Sequence, residues 1–335
     1  MRVLLTGATG FIGSHLLERL LAQGEAVTAL VVPETLDQLL HRDRVKVVLG
    51  TLNDGGALAR ATEGVQVVLH AGGKILGSTR PDLVAVNVHG TANLLKAAVK
   101  NRVQRFVLVS STSVYVHALS FLGLHITEDS PLGPTGRPSL VNYGESKMQA
   151  ERLVLQFHQR YGLGYSIVRP TIAYGPGDGL TPEFLEGLLA RILRNEALAL
   201  STWAQRPKMQ WVHVEDLAEV ILRAALWSQG LNEIFNTAGA EMFSIQTLAA
   251  MMLNILRPAS LVPWSRSYLS PTRYPFLIYD ISRAQRLLAY EPKIDLQIGL
   301  AEMLRDMKRR GLIPAIWSAA AVAPNTPSAF DVKRT

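Results

Sequence analysis

Residues 2–21, RVLLTGATGFIGSHLLERLL, decide the fold class of this 335-residue chain. Arg2–Thr6 is a short, branched apolar run that suits a buried parallel strand, and Phe11–Gln23 carries apolar residues at helical spacing. The turn between these two elements is marked by three glycines: Gly7, Gly10 and Gly13. Because residues without a Cβ let the backbone approach a pyrophosphate at the N-terminus of the next helix, this stretch predicts a dinucleotide site.

The glycine spacing is Gly-x-x-Gly-x-x-Gly, whereas the common dinucleotide fingerprint is Gly-x-Gly-x-x-Gly, so the turn alone also fits a simple tight turn. What favours a binding turn is its place at the start of a repeating strand and helix pattern. Further apolar runs occur at Ala26–Val32, Val45–Leu49, Val65–Leu69, Phe106–Ser110 and Tyr165–Val168. The clearest helical patterns between them are Asn87–Lys100 and Tyr143–Tyr161.

This alternation predicts an α/β fold: a doubly wound parallel sheet of the Rossmann type, with a second, smaller α/β lobe. We assign residues 1–175 to a dinucleotide-binding domain, to which residues 209–240 return through strand-like pieces at Met209–Val214 and Glu233–Thr237. Residues 176–208, with a predicted helix at 182–195, and residues 241–312 form the predicted substrate lobe. Residues 313–335 lack periodicity and are expected to be a loosely held tail.

Composition narrows the functional classes. The chain has no cysteine, which excludes disulfides and thiolate chemistry, and no apolar run is long enough to cross a bilayer. The first strand begins at residue 2 and leaves no room for a signal peptide, so we expect a cytoplasmic protein. The net charge of +7 comes from scattered basic residues without a dense stripe. We therefore expect no nucleic-acid partner, no membrane partner and no metal site.

Tyr143 and Lys147 carry the chemistry that the sequence predicts. At positions i and i+4 of a helix, both side chains lie on one face. A neighbouring ammonium favours the phenolate, so we expect the pKa of Tyr143 to be lowered toward neutral pH, where a phenol can exchange a proton with a substrate hydroxyl. The pair alone is also typical of a solvated helix. A run of hydroxyls at Ser110–Ser113, after the strand that starts at Phe106, favours a catalytic site, because open α/β sheets bind ligands at that end of their strands.

Taken together, the chain resembles an extended short-chain dehydrogenase/reductase of the NAD-dependent epimerase/dehydratase family over about residues 1–312. Besides the glycine turn and the Tyr-x-x-x-Lys pair, the matching segments are Val68–Gly72, Asn87–Thr91, Val109–Tyr115, Arg169–Thr171, Tyr174–Asp178 and Val212–Asp216.

The resemblance implies functional residues. Ser111 is the catalytic hydroxyl, Tyr143 the acid/base, and Lys147 the residue that lowers its pKa and holds the nicotinamide ribose. It also implies a helix-packed homodimer with a small-molecule substrate. The positions that it places along a groove for NAD or NADP are Gly7, Thr9, Gly10, Phe11, Ile12, Gly13, Thr51, Leu52, His70, Ala71, Gly72, Asn87, Ser110, Tyr143, Lys147, Pro170, Thr171 and Ile172.

Some positions depart from the family pattern. Val31 and Val32 stand at the end of the second strand, where an NAD-preferring member has an acid, so the choice between NAD and NADP stays open. Arg42 and Arg44 are candidates for a 2′-phosphate, although solvated surface charge is the favoured explanation. The arginine that sugar-nucleotide epimerases place before the Val-His-Val segment is Met209 here.

Three functions follow. The first is an NAD(P)-dependent epimerase or oxidoreductase that moves hydride between nicotinamide and a secondary alcohol or ketone carbon of a sugar or sugar nucleotide. The second is an NADPH-dependent reductase of a more apolar ketone or aldehyde, for which the apolar stretch Ala118–Leu124 would shape the pocket. The third is a non-catalytic relative that senses nucleotides or binds RNA.

Overall fold

The computed structural model describes residues 1–75, 78–115, 125–133, 138–177, 209–243, 245–256 and 278–313. Several predicted features lie outside these ranges: the stretch 118–124, the helix 182–195, and the tail beyond residue 313.

The central sheet has seven strands, and every neighbouring pair is parallel. This confirms the predicted fold class. In spatial order the strands are β10 (Glu233–Thr237), β7 (Gly164–Pro170), β5 (Arg105–Val109), β4 (Val67–His70), β1 (Arg2–Thr6), β2 (Ala26–Val31) and β3 (Lys46–Leu49).

Helices cover both faces of this sheet. The described helices are α1 (Phe11–Ala22), α2 (Gly55–Thr62), α3 (Arg80–Leu83), α4 (Thr91–Lys100), α5 (Pro138–Tyr161), α6 (Val214–Leu226), α7 (Ile245–Leu256), α8 (Ser282–Leu288) and α9 (Leu296–Arg309). Leu5 packs into the apolar core under α1 and α6, and Leu4 into the core under α2, α4 and α5. Neighbouring residues of β1 serve opposite cores because successive strand side chains point to opposite faces.

A second group of strands lies outside the central sheet. β8 (Ile172–Tyr174), β9 (Met209–His213) and β11 (Met242–Phe243) form a three-stranded sheet, and β6 (His125–Ile126) pairs with β12 (Ile278–Tyr279). The sequence predicted that both 209–214 and 233–237 return to the central sheet, but only β10 does so. The position beside β7 is taken by β10, and β9 pairs instead with β8, which continues the chain just after β7.

Two helices differ from their predicted starts in ways that matter for the site. α5 begins at Pro138 rather than Tyr143, so the tyrosine lies inside the helix. Ahead of α4, Val84–Gly90 form a π-helical segment that contains Asn87. Such segments recur near functional sites. Among the described residues, no helix combines the length and apolarity needed to cross a membrane.

Candidate active site

The carboxyl end of β5 and the start of α5 bring the predicted catalytic residues together. Ser111 lies two residues after β5, and its side chain lies close enough to the Tyr143 phenol to favour the ionised form of that group. Gly144 makes this approach possible, because a Cβ there would lie 2.3 Å from the Ser113 carbonyl oxygen. The helix therefore packs directly against the serine turn at the position next to the tyrosine.

The hydrogen bonds that Ser111 accepts determine where its own hydroxyl proton can point. Its Oγ accepts a bond from the Ser113 backbone N–H at 3.1 Å and another from the Ser113 hydroxyl at 2.8 Å. These two bonds use both acceptor positions of the oxygen, so the Ser111 proton is available to the Tyr143 oxygen. Ser111 is thus arranged as a donor toward the space in front of Tyr143.

The pKa of Tyr143 differs from the prediction. Burial raises it to about 12, and the nearby Ser111 side chain offsets only part of that rise. The expected lowering by Lys147 is absent because its Nζ lies 6.0 Å from the Tyr143 ring centroid and donates instead to the Val109 carbonyl oxygen at 2.9 Å. Tyr143 therefore carries its proton at neutral pH.

Lys147 is the group of this site with a titration closest to neutral pH. Its side chain is buried, and burial lowers its pKa to about 8, while the negative charge of Glu151 acts in the opposite direction. Desolvation disfavours the charged ammonium and the neighbouring carboxylate favours it. Lys147 is consequently still mostly an ammonium at pH 7.

The glycine turn forms a close-packed cradle at the carboxyl end of β1. Gly7 has φ +74°, and a Cβ on it would lie 2.7 Å from the Cα of Gly72. A Cβ on Gly13 would lie 1.8 Å from the Gly7 carbonyl oxygen. Gly10 precedes α1 and offers no side chain to cap the first N–H groups of that helix. An uncapped helix N-terminus against a bare backbone fits a pyrophosphate, so these residues fit a dinucleotide.

A buried chain of neutral hydrogen bonds holds the neighbouring turn after β4. The Thr91 hydroxyl donates to the Asn87 carbonyl at 2.6 Å and therefore accepts from His70 Nε2 at 2.9 Å. His70 Nδ1 then accepts from the Thr6 hydroxyl at 2.7 Å, and Thr6 Oγ1 in turn accepts from the Gly72 N–H at 3.1 Å. Burial lowers the pKa of His70 to about 3. The imidazole is therefore uncharged, and its two hydrogen bonds hold the turn after β4 in place behind the glycine turn.

Asn87 fixes the next part of the same turn. Its side-chain oxygen accepts from the Lys74 N–H at 2.8 Å, and its amide donates to the Lys74 carbonyl and to the Ser146 hydroxyl, both at 3.0 Å. Ser146 in turn donates to the Tyr143 carbonyl at 2.7 Å. One buried amide thus connects the loop after β4 with the helix of the catalytic tyrosine.

The remaining predicted groove residues follow the carboxyl ends of other strands. Thr9 donates to Thr35 at 3.1 Å, and Ser110 donates to Glu151 at 2.5 Å. The Pro170 carbonyl oxygen accepts from Thr112 at 3.2 Å. The others lie after β1, β3, β4 or β7: Phe11, Ile12, Thr51, Leu52, Ala71, Thr171 and Ile172.

The two arginines considered for a 2′-phosphate lie at the amino end of β3, whereas the predicted dinucleotide groove lies at the carboxyl ends of the strands. Arg42 and Arg44 precede β3, and the Arg44 guanidinium donates to the Leu21 carbonyl at the far end of α1, at 3.3 Å. Both side chains are exposed. They are surface charges, and the end of β2 keeps Val31 and Val32 without an acidic residue.

Sequence reasoning missed a buried ion pair behind the site. Arg169 donates to Glu151 through Nε at 2.9 Å and through Nη2 at 2.7 Å, and both residues are buried. A signal was present: Tyr143, Lys147 and Glu151 recur at i, i+4 and i+8 on one helix. Arg169 is also the single charged residue of the otherwise uncharged strand β7.

Comparison with known proteins agrees with this geometry. Residues 3–238 match the family model described as the NAD dependent epimerase/dehydratase family. The chain belongs to this family. As a member of the NAD-dependent epimerase/dehydratase family it is an NAD(P)-dependent enzyme of the extended short-chain dehydrogenase/reductase type that acts on a small molecule. This confirms the predicted family and cofactor class.

Curated relatives and solved structures extend the match over most of the chain. It is 30% identical to a dTDP-4-dehydro-6-deoxy-D-allose reductase of Streptomyces bikiniensis, over 90% of this chain and 95% of the relative. It is 32% identical to a 4-hydroxy-2-methyl-3-oxo-4-farnesyl-3,4-dihydroquinoline-1-oxide ketoreductase of Stigmatella aurantiaca, over 74% and 72%. A short-chain dehydrogenase/reductase superfamily protein of Agrobacterium tumefaciens with bound NAD superposes with a TM-score of 0.70 at 25% identity, over 92% and 98%.

Proposed function

We propose that Ser111, Tyr143 and Lys147 catalyse hydride transfer between nicotinamide and a secondary alcohol or ketone carbon of a sugar or sugar nucleotide. The observation that carries the proposal is the approach of the Tyr143 phenol to the Ser111 side chain, with Lys147 one helical turn away. A serine donor and a tyrosine proton on one oxygen are what the reduction of a ketone requires.

The bound nicotinamide dinucleotide supplies or accepts the hydride. In reduction, Tyr143 gives its hydroxyl proton to the carbonyl oxygen while Ser111 donates a hydrogen bond to the same oxygen. Lys147, one helical turn away, would hold the nicotinamide ribose, as the family resemblance implies. In oxidation the same tyrosine first loses its proton to solvent, and the resulting phenolate takes the proton of the substrate hydroxyl. The glycine turn would hold the pyrophosphate, together with the groove residues named from the sequence.

A second candidate is a reductase of a more apolar ketone that releases its cofactor at every turnover. Tyr143 is protonated at neutral pH, as a proton donor in reduction must be. The end of β2 has no acidic residue to hold the ribose, which favours cofactor exchange. Two of the relatives above carry reductase names, and one of these names a farnesyl-bearing substrate. NADPH is the cofactor of this candidate.

Other parts of the proposal rest on the family. We expect a homodimer packed through the helices near Asn87 and Tyr143, in the cytoplasm. Residues 176–208 and 241–312 form the substrate lobe of this proposal, and residues 1–175 with 209–240 the dinucleotide-binding domain.

The test has two assays. Inversion of a carbinol in panels of nucleotide-linked sugars, followed by NMR, detects an epimerase, and transfer of deuterium from 4-deuterated NADH or NADPH to nucleotide-linked ketosugars or apolar ketones, detected by mass spectrometry, detects a reductase. Tyr143→Phe removes the proton donor, so we expect kcat to fall by about 10²–10⁴ with cofactor affinity unchanged. Tyr161→Phe, at the exposed end of α5, is the matched control and should retain wild-type turnover. Full activity in Tyr143→Phe would refute the catalytic assignment, and cofactor binding with neither inversion nor transfer would favour a non-catalytic relative.

Mass spectrometry of the gently purified protein separates the two enzymes. An epimerase returns the hydride to its own intermediate and keeps its cofactor, so retained NAD supports the first candidate. Protein that is free of cofactor and gains thermal stability with NADPH supports the reductase, because a ligand that binds only the folded state raises Tm.

A further inference from the structure

Glu151 and Arg169 form an ion pair removed from water behind the candidate active site. Their side chains are each 2% exposed, and the two hydrogen bonds between them give the guanidinium and carboxylate a bidentate geometry. Replacing a buried pair by apolar residues of similar volume is often neutral or stabilising. Fold stability alone is therefore a weak explanation for a charged pair at this place.

The pair touches the catalytic segment directly. The Ser110 hydroxyl donates to Glu151 Oε1 at 2.5 Å, and Ser110 is the residue before Ser111. One turn earlier on α5, Lys147 donates to the carbonyl of Val109, the residue before Ser110. Two consecutive residues at the end of β5 are thus tied to two consecutive turns of the helix that carries Tyr143. The separation between Ser111 and Tyr143 depends on these ties.

Glu151 differs from the other titratable groups that face Lys147 because it carries a negative charge. On its own helix the ammonium faces Tyr143 and Glu151, and from β4 it faces His70, which burial keeps neutral. Glu151 is the negative charge that acts on Lys147, and it opposes the lowering caused by burial.

Arg169 is in turn held from the far side. Its Nη1 donates to the Tyr115 hydroxyl at 2.8 Å and to the Glu128 carbonyl at 3.0 Å. Tyr115 donates to the Asn236 side chain at 2.6 Å. The guanidinium is therefore fixed by groups after β5 and on β10, and it holds the Glu151 carboxylate in one orientation.

We propose that Glu151, oriented by Arg169, is a positioning residue of the active site: it fixes the Ser110–Ser111 segment against α5 and presents its negative charge to the Lys147 ammonium. This inference rests on the proposed function of Ser111, Tyr143 and Lys147. Glu151 acts through these residues and needs no contact with substrate or cofactor.

The first experiment measures the titration of Lys147 itself, which does not depend on turnover. In protein with ¹³C-labelled lysine, the Lys147 NMR signal is assigned by its loss in Lys147→Met and followed with pH. Glu151→Gln should lower the pKa of Lys147 below the wild-type value of about 8, because it removes the charge that favours the ammonium. Glu219→Gln is the matched control, since it removes a carboxylate from the Glu219–Arg223 pair on α6. It should leave the Lys147 titration unchanged.

The second experiment separates positioning from folding. Glu151→Leu with Arg169→Met replaces the whole pair by apolar side chains, which leaves neither charge unpaired and keeps the chain folded if Glu151→Gln alone does not fold. We expect this double variant to unfold near the wild-type temperature but to lose about 100-fold in kcat, the typical cost of misplacing a reacting group by about 1 Å, with KM little changed.

Wild-type kcat in the folded double variant, or an unmoved Lys147 titration in Glu151→Gln, would overturn the inference. If the wild-type protein transfers no hydride, the proposed function fails, and the Lys147 titration still decides whether Glu151 acts on Lys147.

Discussion

Two regions at the carboxyl ends of the central strands are held together by different kinds of interaction. At the ends of β1 and β4, glycine contacts and neutral hydrogen bonds through His70 and Asn87 fix the shape of the backbone. At the ends of β5 and β7, the buried groups are ions: Lys147, Glu151 and Arg169. We call these the neutral region and the charged region.

The difference follows from the task that each region has in the proposed function. Holding a dinucleotide requires a cradle of fixed shape, and neutral groups provide it at every pH near neutrality. Moving a proton requires groups whose charge can change, and buried ions provide this at a cost in stability. Mutations in the neutral region should therefore have effects independent of pH, whereas those in the charged region should depend on it.

The largest expected effect is that of Gly13→Ala in the neutral region. The added Cβ would lie 1.8 Å from the Gly7 carbonyl oxygen, so the backbone of the turn must move. We expect a loss of about 3 kcal/mol in the free energy of unfolding, measured in urea, and no detectable cofactor binding. Gly55→Ala, at a helical glycine with open space around it, is the control and should be neutral or slightly stabilising. Equal behaviour of the two variants would show that the cradle is not close-packed.

His70→Leu tests whether the neutral region is independent of pH. It deprives the buried Thr6 hydroxyl of its acceptor, which should cost about 2 kcal/mol. Because the pKa of His70 is about 3, the imidazole is neutral in the folded state from pH 5 to 9. The histidine of the unfolded chain gains its proton only near pH 6.5, so the difference in Tm between wild type and variant should be constant from pH 7.5 to 9. A difference that changes within this range would mean that His70 ionises in the native protein.

Lys147→Met gives the smallest expected change in stability, and its sign is opposite. The folded-state pKa of about 8 lies below the ordinary value of 10.5, so folding at pH 7 must desolvate an ammonium. Allowing for the lost bond to Val109, the variant should be more stable by about 1 kcal/mol at pH 7 while losing hydride transfer.

The advantage of Lys147→Met should disappear with rising pH. Between about pH 8 and 10.5 the unfolded wild-type chain retains the lysine proton that the folded chain has released, so wild-type stability rises relative to the variant. Thermal unfolding of both proteins from pH 7 to 10 measures this. A variant that is less stable at pH 7 would place Lys147 among the stabilising groups and remove the contrast between the two regions.

The neutral region was the more predictable of the two from sequence. Its glycines and strand ends are local signals, and the fold class follows from them. The charged region depends on contacts between distant segments. Local signals mark Glu151 on α5 and Arg169 on β7 separately, but they do not show that the two residues pair. The pKa of Tyr143 was predicted in the wrong direction because helical spacing identifies Lys147 as a neighbour but does not reveal that Lys147 donates to Val109 or that the phenol is partly removed from water. The sequence also did not predict that β9 lies outside the central sheet, because it does not show that β10 is the strand that pairs with β7.

The central claim is that Ser111, Tyr143 and Lys147 converge on the carbon that exchanges hydride. A crystal structure of the chain with bound NAD or NADP tests it most directly. We expect the Tyr143 and Ser111 hydroxyls to face C4 of the nicotinamide together, with Lys147 against the nicotinamide ribose. A structure in which the Tyr143 side chain points away from the nicotinamide, or in which the dinucleotide binds elsewhere, would contradict the account.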